Sequence, residues 1–181
     1  MHSGEFTLDP DAEPIAGRDW LGAFVDRYIA GWNTGDPAVV AACVTTDTRW
    51  LDPSEEGLII GRAAVAKFVG DTVRSFPDVS YDLVFEPTIT ADERAAIVPW
   101  RMSGTHLGPI DPPGFAATGK KFDLLVVDIW QFRSGLIWRS KATWDLNELL
   151  LQLGLLPKRN GFAERFMARA QRAGAKLRPP R

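Results

Sequence analysis

Asp145 stands where a carboxylate is out of place. The run FDLLVVDIWQFRSGLIWRSKATWD reads as two long strands meeting at Ser134-Gly135, and its apolar character predicts a sheet covered on both faces. A carboxyl group in such surroundings loses hydration and its pKa rises. It then suits removal of a proton from a carbon beside a carbonyl. Asp145 is therefore the candidate catalytic acid/base. The competing reading makes it a cap, two residues ahead of Asn147, for the helix that follows.

The polar residues around it give a supporting set. Arg139, Lys141 and Thr143 precede Asp145 at steps of two and share its face. Lys141 can serve as an ion-pair partner or steady a developing enolate. A two-residue turn at Ser134-Gly135 sets Asp128 opposite Lys141. A three-residue turn sets Val127 there and brings Gln131 to the Asp145 face; the sequence leaves both registers open. Arg101, on the neighbouring strand, can bind a carboxylate or an oxyanion, or pair with Asp123 or Asp128. His106, at a strand end before a Gly/Pro loop, can shuttle a proton or anchor the loop. Asp52, beside Trp50, is a second candidate acid. Trp50, Phe68, Trp100 and Leu125 are the expected apolar lining of the pocket.

The elements that must hold these groups follow from periodicity. Trp20, Leu21, Phe24, Val25, Tyr28, Ile29 and Trp32 recur at three- and four-residue steps and predict a helix ending at Asn33-Thr34-Gly35. Asp36-Pro37 restarts a short helix as cap and first residue. A strand near Arg49–Pro53 and a brief one at Leu58–Ile60 lead to a third helix after Gly61. Strands are then expected over Val79–Thr90, Ala95–His106, Lys120–Arg133 and Leu136–Leu146, with a loop at Leu107–Gly119. A short helix runs from Asn147 to Gly154, and Asn160–Ala173 forms a last one. Three helices followed by an antiparallel meander make an α+β fold, in which a curved sheet wrapped around the N-terminal helices forms a cone-shaped barrel. The expected parts are a loose arm (1–17), the cone domain (18–157) and a basic tail (158–181).

Composition narrows the classes. The chain has 181 residues, 45% of them hydrophobic, enough for one domain with a core. The single cysteine, Cys43, precludes an internal disulfide and a multi-cysteine metal site, and its apolar neighbours mark it as buried. With one His inside the domain and scattered acids, no metal site is expected. No run reaches the ~18 apolar residues of a membrane span, and no leader is legible, so a cytoplasmic protein is expected. Residues 158–181 carry eight Lys/Arg against Glu164, a charge of +7, which leaves −9 on the rest. This tail reads as a solvated helix rather than a nucleic-acid contact. Trp130, Trp138 and Trp144 are expected on the outer face of the hairpin, as a partner surface.

Several spaced motifs carry a resemblance: Trp32-Asn33-Thr34-Gly35-Asp36, Gly104-Thr105-His106 with Gly108, Thr118-Gly119-Lys120, Phe132 with Gly135 and Ile137, then Asp145, then Gln152-Leu153-Gly154 with Pro157. Over residues 20 to 157 the chain resembles the SnoaL-like polyketide cyclases of the nuclear-transport-factor-two-like superfamily. The resemblance implies the cone fold and a cofactor-independent enzyme with neither metal nor organic cofactor. Its substrate would be a bulky apolar carbonyl compound, a polyketide or terpenoid. The reactions implied are aldol cyclisation, isomerisation, dehydration or epoxide opening, with Asp145 on the position of the catalytic acid. Gln131 stands near the place of a helper that is often His, and Gln takes no proton. The resemblance also implies a homodimer formed through the sheet. The alternative is a binding or scaffold module with the same fold and no chemistry.

Overall fold

A computed structural model describes residues 7–157 and 161–176. The outer parts of the expected arm (1–6) and tail (158–160, 177–181) lie outside the described residues.

Helix α1 (Arg18–Asn33) buries Leu21, Phe24, Val25, Tyr28 and Trp32 along one stripe. Helix α2 (Pro37–Ala42) starts as its sequence dictates: the Asp36 carboxylate accepts from the Ala38 N–H at 2.9 Å, and Pro37 follows the cap. Gly31 lets the two helices close on each other, since a Cβ there would sit 2.8 Å from Val40 Cγ2. Strands β1 (Val44–Leu51) and β2 (Leu58–Ile60) lead into helix α3 (Arg62–Ser75). Strands β3 (Ser80–Leu83), β4 (Thr88–Ile89), β5 (Ala96–Thr105), β6 (Lys121–Arg133) and β7 (Leu136–Thr143) follow, then helices α4 (Leu146–Gln152) and α5 (Phe162–Lys176). The strand expected over Val79–Thr90 is broken into β3 and β4 ahead of Pro87, which cannot donate to a ladder.

The sheet order is β2-β1-β7-β6-β5-β3, with β4 also on β5. Its β3-β5-β6-β7 part is the antiparallel meander. The sequence reading does not anticipate that β1 runs parallel to β7. The sheet curves without closing, and α1 and α3 pack on its concave side.

The β6–β7 hairpin corrects both anticipated registers. Ser134 and Gly135 form a two-residue turn with positive φ of 52° and 69°. A bulge then shifts the pairing by one residue, so that Asp128 faces Ala142 and Lys141 faces Ile129. One face of the pair holds Phe122, Leu124, Val126, Asp128 and Trp130, all buried. Trp130 therefore lies in the core, not on the outer face. Trp138 and Trp144 are half-buried. Trp138 has the guanidinium groups of Arg133 and Arg139 at 4.6 and 5.9 Å from its ring.

The arm is strapped down over residues 9–15 rather than loose. Ala12 and Ile15 are buried. The Glu13 N–H donates to the Phe132 carbonyl at 3.0 Å, and the Ile15 N–H to that of Glu93 at 2.7 Å. Cys43 is buried, as expected. No described helix is long and apolar enough to cross a membrane.

Candidate active site

The interior of the cone is walled by aromatic rings from both layers. Tyr28 of α1 lies 4.8 Å from Trp130, 6.0 Å from Trp100 and 6.4 Å from Trp50, centroid to centroid. Trp32 packs against Phe68 and Tyr81. Asn33 holds Tyr81 in place: its Nδ2 donates to the Tyr81 carbonyl at 3.0 Å and its Oδ1 accepts the Tyr81 N–H at 2.7 Å.

Asp128 is the carboxylate inside this wall. It shares the strand face of Val126 and Trp130 and is 4% exposed. The indole N–H of Trp100 donates to its Oδ2 at 2.9 Å, while Oδ1 has no hydrogen-bond partner among the described residues. Burial raises its pKa to about 7; the Trp100 bond opposes that rise and the charge of Asp52 adds to it. Near neutral pH this carboxyl can therefore donate or accept a proton.

Asp52 is the second acid. Trp50 pairs with Ser140 and Leu51 with Lys141, and the next step carries Asp52 to the height of Ala142. Ala142 is itself the partner of Asp128. Two neighbouring-strand gaps thus separate the two backbone positions, roughly 9.5 Å, with Ala142 on the strand between. Asp52 is half-buried. It accepts from the Ser54 N–H at 2.9 Å, the Ser54 hydroxyl at 2.5 Å and the Trp144 indole at 3.3 Å. Burial raises its pKa, and those donors hold the rise back by favouring the charged form. Burial, joined by the Asp128 charge, keeps the Tyr28 phenol protonated, well above the usual range.

This arrangement revises the expected site. Asp145 is not inside the cone: it is exposed and caps α4, accepting the Glu148 N–H at 3.1 Å. Lys141 is half-buried and turned to the face opposite Asp128, because β7 alternates Ala142 inward. Arg101 is exposed and grips the Asp123 carboxylate, with its Nε 2.9 Å from Oδ1. Leu125 shares that outer face at 60% exposure and does not line the interior. Gln131 is buried, but under the arm: its side chain bonds the Asp9 N–H and carbonyl, each at 2.9 Å. His106 is buried beside Phe76, and its Nδ1 lies 3.1 Å from the Thr118 hydroxyl. It anchors the Leu107–Gly119 loop rather than joining the acids. Trp50, Phe68 and Trp100 pack among the rings of Tyr28 and Trp32. Tyr28 and Trp130 were missed. Tyr28 carried a signal, as the one hydroxyl on the apolar stripe of α1.

The family model for the SnoaL-like domain matches residues 25–140, well over half of the chain. No curated protein matches. Among solved structures, TsrD from Streptomyces laurentii is 25% identical over 78% of this chain and 100% of its own, with a TM-score of 0.67. A protein assigned as a SnoaL-like polyketide cyclase from Jannaschia sp. CCS1 is 17% identical over 80% of this chain and 99% of its own, also at 0.67. The epoxide hydrolase/cyclase-like enzyme SalBIII, with a role in pyran ring formation in polyether salinomycin, is 19% identical over 70% and 92%, at 0.57.

Proposed function

Because the chain belongs to the SnoaL-like domain family, we propose that it is a cofactor-independent acid/base enzyme acting on a bulky apolar carbonyl compound. The observation that carries this reading is Asp128: buried, fixed through Oδ2 and, among the described residues, unpartnered at Oδ1. Two carboxyls in different surroundings divide the work, the drier one keeping its proton and the wetter one staying ionised. Asp52 takes a proton from the carbon beside the carbonyl. The C–H electron pair becomes the carbon–carbon double bond, and negative charge moves to oxygen. Protonated Asp128 and Tyr28 donate hydrogen bonds to that oxygen. The enolate carbon then attacks a second carbonyl of the same molecule, whose π pair moves to its oxygen and takes the proton from Asp52, which closes a ring; or the carbon skeleton takes that proton back at another position, which isomerises it.

The spaced pair Asp52 and Asp128 favours one further version, epoxide opening. Asp128 would protonate the epoxide oxygen while Asp52 accepts the proton of the attacking hydroxyl. Pairing of two copies through the outer sheet face, which carries exposed Leu125, belongs to the same proposal; a monomer mass by light scattering would remove that part.

The test of the chemistry is hydrogen exchange of enolisable cyclic ketones in deuterium oxide, followed by proton NMR. The wild type should accelerate loss of the α-proton signal over buffer, and Asp128→Asn should lower that rate about 100-fold. Equal rates for the two proteins, or no acceleration, would overturn the proposal.

A further inference from the structure

We propose that Ser140, Trp130 and Trp50 form a second oxygen-binding subsite, one step along the sheet from Asp128. It would select substrates that carry a hydrogen-bond-accepting oxygen roughly 7 Å from the reacting one. This rests on the reading of the cone interior as the substrate site.

Three adjacent strands place these residues side by side. Trp130 pairs with Ser140 across β6 and β7, and Ser140 pairs with Trp50 across β7 and β1. Two residues along β6 and β7, the same strands hold Asp128 and Ala142. All three side chains are buried, and among the described residues neither indole N–H nor the Ser140 hydroxyl has a hydrogen-bond partner. The large majority of buried polar groups in folded proteins are paired, and each exception calls for an explanation.

The chemistry of the set says what would pair them. An indole nitrogen only donates, and a serine hydroxyl can donate. Such donors fit a carbonyl, ether or phenol oxygen and do not fit an ammonium group. Ser140 is the small residue between the two large rings, as Ala142 is between the two carboxyls. A purely hydrocarbon skeleton beyond the reacting carbonyl would leave all three donors unpaired. The substrate class is therefore a compound oxygenated at two separated positions, and a terpenoid bearing one carbonyl is disfavoured.

Calorimetric binding of 6-hydroxy-1-tetralone and 6-methyl-1-tetralone tests this, since the two match in size and differ in the second oxygen. The wild type should prefer the hydroxylated ligand by about tenfold. Ser140→Ala, and separately Trp50→Phe, should bring that ratio near one, with circular dichroism confirming the fold. Asp128→Asn should weaken both ligands and keep the ratio. A wild-type ratio near one, binding of neither ligand, or a ratio preserved in both Ser140→Ala and Trp50→Phe would overturn the subsite. An unchanged Asp128→Asn beside a collapsed Ser140→Ala ratio would overturn the proton-transfer reading and leave the subsite standing.

Discussion

The indole N–H of Trp100 donates to Oδ2 of Asp128 across 2.9 Å, between neighbouring strands, with both side chains buried. Trp100 pairs with Val126 and Asp128 with Val98, so the bond runs diagonally over the concave face. It orients the carboxyl and leaves Oδ1 for another group. It also lowers a pKa that burial raises. Trp100→Phe keeps most of the ring and removes the donor. The titration midpoint of Asp128 should then move upward, and urea melts should show a loss of about 1–2 kcal/mol. An unmoved midpoint would show that the bond has no hold on the carboxyl.

Stability should carry the mark of this buried acid. Asp128 has a raised folded-state pKa, so the folded protein keeps a proton that the unfolded chain releases. Its contribution is largest below the unfolded value near 4 and is lost as pH rises to about 7. Asn in its place is neutral throughout. The stability of Asp128→Asn relative to wild type should therefore grow by about 2–3 kcal/mol between pH 5 and pH 8. Asp47, Asp71, Asp78, Asp92 and Asp123 have lowered pKa values and act with the opposite sign. They are shared by both proteins and cancel in the difference. Parallel stability profiles would contradict the burial argument.

Asp52 acts on Asp128 through charge, across the methyl group of Ala142. Asp52→Asn should shift the Asp128 midpoint downward, because a like charge that opposed ionisation is gone. In the exchange assay it should slow proton removal by 10²–10⁴-fold, roughly the range for loss of a positioned base. A slower rate with an unmoved midpoint would place Asp52 too far away to feel its partner.

Asp145 should behave as a cap. Asp145→Ala should cost about 1 kcal/mol in thermal or urea melts, through the N–H of Glu148. Exchange rates and ligand binding should stay at wild-type values. A hundredfold loss of exchange would return Asp145 to the chemistry.

The fold was largely legible because its signals are local. The stripe from Trp20 to Trp32, the Asp36-Pro37 start and the Ser134-Gly135 turn each act within a few residues. The site was less legible because it depends on register. In LLVVDIWQF both alternating sets are apolar, so nothing local says whether Asp128 or Gln131 turns inward. The bulge beside Phe132 and the arm over Gln131 decide it, and both are contacts between distant segments. Asp145 misled because strand and helix meet there. The apolar run that seemed to bury it stops at Ala142, and the helix start uses the acid instead. Leu125 misled for a similar reason, as an apolar residue on an exposed strand face.

The central claim is that Asp128 holds its proton up to neutral pH inside the cone. Carbon-13 NMR of protein labelled at the aspartate carboxyl carbons, titrated from pH 3 to pH 9, reads this directly. Comparison with Asp128→Asn assigns the resonance. A midpoint at about 7 is expected; a midpoint near 4, the ordinary aspartate value, would contradict a proton held by burial.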